Sequence, residues 1–486
     1  MSVEPASPAV SAEAQAPPAS AAPYPRRWAA AAVLTVAFLM DLLDVTIVNV
    51  ALPTIQRELD ASPTQLEWIS ASYLLAFAVA LITTARLGDI AGRKKVFLIA
   101  VAFFGLASLW CSFADSPNEL ILARAVQGLA AAGIAPQVMS TLQSTFQGRE
   151  LGTVFGLFGI VAGMAQALGL VVGGVLIAAD VGGLGWRTLF LVNVPVAALV
   201  IAFGIWLVPE TKAPGGTRPN VLSAAVLTVG LVAVVFPLME GRQYGWPVWC
   251  WLSLAGGVLA LVALAVAEER GGGRRSAPLL PAGLFRNRSF SAGLAVLLLG
   301  FAGYNGFLLV FTLWLQDGQG YTPLHAGLVT VSFCVGSLFT AVVAGRLTDR
   351  FGRGVVTAGC LLFAVGTLGV LLAAREATDT VSTWALVPGL VVLGAALNLI
   401  IPPLVTLFTA SVPPQHVGTA SGIWSTTQQF GGSLGVAVMG SVFFSVLDGG
   451  YRSAFTVIAA ATAVTLVVCA ALTLTLAPRE RAGGEG

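Results

Sequence analysis

Two carboxylates, Asp41 and Asp44, sit inside the apolar run WAAAAVLTVAFLMDLLDVTIVNVALP from Trp28 to Pro53. A carboxylate at the centre of a membrane helix costs about 2.5–3.5 kcal/mol. A spacing of three residues puts both acids on one helix face, where they titrate as a coupled pair. At 1.5 Å per residue Asp44 lies about 24 Å from Trp28, in the far half of a hydrocarbon core roughly 30 Å thick. Arg124, in LARAVQGLAAA, is the one Lys or Arg that falls well inside a predicted apolar span rather than at its end. That span runs the opposite way and enters near Leu120, so Arg124 reaches a matching depth. Opposite charges at one depth offset part of each other's desolvation. Burial favours a neutral carboxyl and a nearby guanidinium favours an ionised one. Two readings stay open at this stage: a proton site that loads from the acidic side, or a static salt bridge joining two helices.

Little else in the chain can do chemistry. There are two histidines and five scattered cysteines (Cys111, Cys250, Cys334, Cys360, Cys469), none with metal or redox spacing. The cysteines read as small core hydrophobes. No G-x-x-x-x-G-K-[ST] loop and no nucleophile cluster occurs, so the sequence predicts neither an enzyme nor a cofactor or metal site. A net charge of +2 gives no argument for nucleic acid.

The elements that position these groups are membrane helices. The 486 residues are 57% hydrophobic and 10% charged, with mean hydropathy +0.87, against roughly 25% charged in soluble proteins. The fold class is therefore an all-α polytopic membrane protein. Fourteen apolar spans are predicted, at 28–52, 66–88, 95–114, 118–142, 150–178, 188–208, 221–240, 247–267, 289–315, 323–346, 354–374, 382–408, 417–446 and 452–477. With both termini cytoplasmic, 19 of the 25 Lys and Arg fall on the inner side, five on the outer side, and Arg124 within a span. That bias predicts cytoplasmic termini. Residues 1–27, rich in Ala, Pro and Ser, read as a disordered tail rather than a signal peptide.

One motif occurs twice. ARLGDIAGRKK (Ala85–Lys95) follows the second span and GRLTDRFGRG (Gly345–Gly354) follows the tenth, placing Asp89 and Asp349 260 residues apart. Eight spans separate the copies, so six-helix units imply two inserted helices. The predicted domains are an N-terminal bundle at 28–208, a linker at 209–288 carrying helices 221–240 and 247–267, a C-terminal bundle at 289–477 and a tail at 478–486. Such repeats place a substrate site at their interface near the bilayer midplane. Within the loops, Asp89, Gly92, Arg93, Asp349, Arg350, Gly352 and Arg353 can either form a gate against the other bundle or simply anchor the inner face. An aspartate there can also cap a helix N-terminus. A cavity needs apolar walls and few polar groups, and its candidates are Phe38, Tyr73, Tyr304, Asn305, Trp314, Asn398, Trp424, Gln428 and Gln429. No acid lies deep in the last six spans, which favours neutral or singly charged amphipathic compounds.

These stretches give the chain its family likeness. LDVTIVNVALP (Leu43–Pro53), the loop Ala85–Lys95, LARAVQGLAAA (Leu122–Ala132), LGLVVGG (Leu168–Gly174) and WRTLFLVNVP (Trp186–Pro195) together resemble the major facilitator superfamily, and within it the fourteen-span drug:proton antiporters. The resemblance implies a 6 + 2 + 6 fold in a bacterial cell membrane. It implies alternating access, a small-molecule substrate and protons as partners besides the lipid bilayer, and a monomer. It makes Asp44 the match to the first-helix motif and Asp41 an extra acid. Gly163, Gly169, Gly173 and Gly174 fall on the antiporter-motif helix, whose small residues permit close helix packing. Ala85 and Ile90 stand where the loop motif has glycine and arginine. Leu170 stands where the antiporter motif has proline, which keeps a proton-coupled uptake symporter open beside the expected exporter of amphipathic compounds. A non-transporting sensor or channel is the third alternative, and the paired loops speak against it.

Overall fold

The computed structural model describes residues 24–212, 221–271, 282–376, 380–410, 412 and 417–476. The terminal tails and most of the two polar linkers lie outside the described residues. Helix α1 (Arg27–Leu59) is apolar along its length and stops at Asp60, which takes a left-handed conformation. Helix α2 (Pro63–Ala91) starts at once on a capping box, in which Ser62 and Gln65 each bond the other's backbone N–H, with Pro63 in the first turn. Helix α3 (Arg93–Ser112) follows Gly92, whose φ of 109° is one that residues with a Cβ rarely adopt.

Three of the expected continuous spans are broken. The fourth is α4 (Pro117–Ala131) and α5 (Ala135–Thr145). The sixth is α7 (Thr188–Leu191) and α8 (Asn193–Leu207). In each, a proline lies just past the break, Pro136 or Pro195. A proline ring clashes with the carbonyl four residues back and offers no N–H. The tenth divides at Thr330 into α13 (Pro323–Val329) and α14 (Val331–Phe351), with the Thr330 hydroxyl donating to the Gly327 carbonyl at 2.6 Å. The remaining long helices are α6 (Gly148–Ala179), α9 (Val221–Glu240), α10 (Val248–Gly271), α12 (Arg288–Leu313), α15 (Arg353–Glu376), α16 (Thr383–Ala410), α17 (Val417–Val446) and α18 (Tyr451–Thr473). A short α11 (Ala282–Phe285) precedes α12. Among the described residues, thirteen helical segments are long and apolar enough to cross a membrane. The 32-residue α6, uncharged from Leu151 to Ala179, supplies a fourteenth of sufficient length. Four of the five cysteines are buried, and all are free thiols.

Helices α1–α8 pack among themselves, as do α12–α18, and α9 pairs with α10. Gly230 and Gly257 face each other across that hairpin, where a Cβ on Gly257 would lie 2.9 Å from the Gly230 carbonyl. The hairpin docks by α9 onto α2 and α17: the Trp68 ring meets Phe236 at 5.9 Å, and Ser441 donates to Leu238 O at 2.9 Å. The two large groups meet along three seams. On the first, Ser433 and Thr426 of α17 donate to the carbonyls of Ala71 and Ala78 on α2. On the second, α6 packs on α13, so closely that a Cβ on Gly327 would lie 2.5 Å from the Leu170 carbonyl. On the third, Gln316 donates to Val50 O at 2.8 Å and Arg57 pairs with Asp317 at 3.2 Å. The second and third seams lie in the half away from the basic loops, and the molecule is closed there.

Candidate proton and substrate site

Helix α1 carries Asp41 and Asp44 into the first group, where both are at most 2% exposed. Asp44 is paired with Arg124 of α4. Gln127 and Asn193 each donate to Asp44 Oδ1, at 2.8 and 2.9 Å. Gln127 Nε2 also donates to Ser108 Oγ at 2.7 Å, and Arg124 donates to Gln127 Oε1 at 2.7 Å and to Ile69 O at 3.3 Å. The Arg124 guanidinium lies over the Tyr73 ring, 4.3 Å from its centroid, and 5.8 Å from that of Phe190. Charge, amide donors and aromatic faces thus replace water around one buried ion pair. Asp41, one turn nearer the basic face, accepts from the Tyr73 hydroxyl. Tyr73 therefore links the two acids: its hydroxyl serves Asp41 and its ring supports the partner of Asp44.

Gln127, Asn193, Ser108 and the Tyr73 bridge were not singled out in this role from the sequence. The signal was there for two of them. Gln127 follows Arg124 by three residues and shares its face, and Asn193 is a polar residue in the apolar entry WRTLFLVNVP.

In the repeated loops, Arg93 and Arg353 bond within their own halves. Arg93 pairs with Asp89 at 2.9 Å and donates to Ser140 O at 3.2 Å, and its backbone N–H bonds Thr211 O. Glu210 accepts from the Lys94 backbone and packs on Gly92, where a Cβ would lie 2.6 Å from Oε1. In the second copy Arg353 donates to the carbonyls of Leu474 and Leu476, Arg350 lies 5.2 Å from the Phe351 ring, and Gly352 takes a φ of 52°. Asp349 lies in the last turn of α14. Asp89 does not cap α3: Gly92 is the cap residue, and the Asp89 side chain turns to Arg93.

The motif glycines on α6 serve two neighbours rather than one. A Cβ on Gly169 would lie 1.9 Å from Thr46 Oγ1, and one on Gly173 would lie 2.9 Å from Ile47 Cγ1, both on α1. A Cβ on Gly174 would lie 2.7 Å from Pro323 O, at the start of α13. Gly163 lies farther back on the same helix. Helix α6 is thus wedged between the acid-bearing helix and the second group.

Of the cavity candidates, Tyr304 lines two apolar pockets among the described residues. One is walled by Leu170, Phe307, Phe311, Phe333, Phe363 and Leu393, with Thr330 and Tyr304 as its polar residues. The other shares Tyr304 and Phe363 and extends along α16. The other candidates fall elsewhere. Tyr73 belongs to the acid centre. Asn398 donates to Ser337, Asn305 to Phe301 O, and Trp424 packs on Phe408 at 5.0 Å. Trp314 is fully buried and stacks on Phe455 at 4.3 Å. Phe38, Gln428 and Gln429 are half-buried. The apolar walls escaped the sequence reading because nothing distinguishes a cavity phenylalanine from a core one before the helices are packed.

A bundle of membrane helices with a buried acid–arginine centre, and with an apolar cavity in its second group that Leu170 of the first group borders, is the form of a secondary transporter, and comparison identifies the class. The Major Facilitator Superfamily model matches residues 34–327 and 293–486, and the chain belongs to that superfamily. It is a multi-pass membrane transporter, not an enzyme. A probable actinorhodin transporter of Streptomyces coelicolor is 39% identical over 455 residues, covering 91% of this chain and 78% of that protein. The puromycin resistance protein of Streptomyces alboniger is 35% identical, covering 86% and 82%. The methylenomycin A resistance protein of Streptomyces coelicolor is 33% identical and covers 92% of each. In fold, the chain is similar to a crystal structure of a POT family transporter in complex with 5-aminolevulinic acid, with a TM-score of 0.65 at 13% identity over 92% of this chain and 96% of that one.

Proposed function

We propose that this chain is a proton-driven exporter of small amphipathic organic compounds, working as a monomer with both termini in the cytoplasm of a bacterial cell. The observation that carries the proton coupling is the buried Asp44–Arg124 pair with Asp41 one turn away. Protons arriving from outside compete with Arg124 for the acids, and the change of charge alters the packing of α1 against α6 and α4. Export direction is supported by relatives named for antibiotic resistance or transport. Orientation is supported by the concentration of Lys and Arg on the face that carries both repeated loops. The frame for alternation is the pair of six-helix bundles at 28–208 and 289–477, with 209–288 as linker and hairpin.

The seams opposite the basic face make this a form closed to the outside. Asp89, Arg93 and Arg353 then form the inner gate only after the halves rock, which fits their present bonds within their own halves. The aromatic walls around Tyr304 suit planar, neutral or singly charged molecules.

The test uses everted membrane vesicles, energised so that the interior is acidic, with puromycin and methylenomycin A as probes. Uptake of at least one probe that an uncoupler abolishes supports the reading. Uptake unaffected by the uncoupler, or present with both Asp44→Asn and Asp41→Asn, contradicts it. Accumulation by intact cells would indicate the symporter instead.

A further inference from the structure

Glu67 lies in the second turn of α2, in the half opposite the basic loops, and is fully buried. Neither of its carboxyl oxygens has a hydrogen-bond partner among the described residues. It sits where three bodies meet. From the second group, Gly440 of α17 presses on it so closely that a Cβ there would lie 2.8–3.1 Å from Glu67 Cγ, Cδ and Oε1. From the hairpin come Glu240 on α9, which accepts from the Trp68 indole at 2.7 Å, and Arg242 in the loop beyond. Arg242 forms no ion pair within 4 Å among the described residues; its guanidinium lies 5.4 Å from the Phe444 ring, and its Nε is itself buried without a partner.

We propose that Glu67 is a second proton-binding site, separate from the Asp41–Asp44 centre, and that proton binding there latches the outer face shut. This rests on the reading of the chain as an alternating-access transporter with that face outside. The physical case is the contrast between two surroundings. In the closed form a charged Glu67 would lose its water and gain no hydrogen bond, and an unpaired buried charge costs several kcal/mol. When the outer face opens, α17 withdraws from α2 and water reaches the carboxyl. The closed form therefore binds the proton more tightly, and acid outside drives closing.

The other titratable groups in reach do not take this role. Helix α17 has no acidic, basic, Tyr, Cys or His residue from Val417 to Val446. On α2 the next titratable group, Tyr73, lies about 9 Å inward at 1.5 Å per residue and is held by Asp41. Asp41, Asp44 and Arg124 belong to the coupling centre, and Glu119 of α4 is tied to Trp110 and the Asp115 backbone. Because Glu67 is sealed from the inner face in this form, its proton returns outside on reopening. It gates the cycle without adding to the protons carried per substrate.

The test measures distances between spin labels at Val181→Cys and Ser445→Cys, exposed positions on opposite halves at the outer face. The full chain is placed in lipid nanodiscs with Cys334→Ser, the other four cysteines being buried. With the native Glu67, raising the pH from about 5 to 9 should shift the distances from short to long. Glu67→Gln should hold the short distance at every pH, and Glu67→Asp should restore the shift. An Asp41→Asn, Asp44→Asn double variant should keep the shift while losing export, which separates a failure of this proposal from a failure of proton-driven export. A pH shift in Glu67→Gln equal to that with Glu67, or no shift in either, overturns the proposal.

Discussion

At the level of single residues, Asp44 and Arg124 are stable in an apolar interior only together. Removing one member of a buried pair leaves the other uncompensated, at about 3–5 kcal/mol. Asp44→Asn should therefore lower thermal stability by that order and abolish export. The double variant Asp44→Asn, Arg124→Gln should recover most of the stability and none of the export. Recovery of export as well would reduce the pair to a structural bridge. Tyr304 makes the complementary case: Tyr304→Ala should weaken handling of aromatic probes about tenfold, or roughly 1.4 kcal/mol, with no change for the Asp44 network. The acids and Arg124 were legible in the sequence because charge is scarce in membrane spans and conspicuous when present. Glu67 was not. It stands four residues into its helix, where an end-of-span carboxylate normally meets water, and only the packing of α17 and the hairpin encloses it.

At the level of elements, α6 shows what glycine spacing means once neighbours are known. Gly169 and Gly173 seat α1, while Gly174 and the Leu170 carbonyl seat α13. Gly174→Val should keep α13 away from α6, lengthen the Val181–Ser445 label distance and cut export at least tenfold at normal membrane levels. Unchanged distances would show that this seam does not limit closure. At the inner face Gly92 has two reasons to be glycine, its φ of 109° and the Glu210 carboxylate against its Cα. Gly92→Ala should cost about 1–3 kcal/mol, seen as a lower melting temperature. Span positions and the loop repeat were readable from hydropathy and motif. The breaks in the fourth and sixth spans were marked by Pro136 and Pro195, since proline disrupts the preceding turn. The break at Thr330 has no such mark; there the Thr330 hydroxyl bonds back to the Gly327 carbonyl.

At the level of the whole molecule, the described residues hold a form closed on one face by the α6–α13 seam and by the contacts of α1 with Gln316 and Asp317, with Arg93 and Arg353 bonded within their own halves on the other. The inserted α9–α10 hairpin is more than a spacer. It lies across the α2–α17 seam and supplies the charges around Glu67. The sequence suggested where the hairpin sits in the chain, but not that it would touch the moving interface, because that contact joins residues about 170 to 200 positions apart. The central claim is that an inward proton gradient drives substrate out through a cycle that needs Asp44. The most direct measurement is puromycin uptake by everted vesicles carrying this chain, with the imposed pH gradient as the only energy source. The account predicts accumulation that scales with the gradient, collapses with an uncoupler and is absent in Asp44→Asn. Accumulation of the same size in Asp44→Asn, or without a gradient, would contradict it.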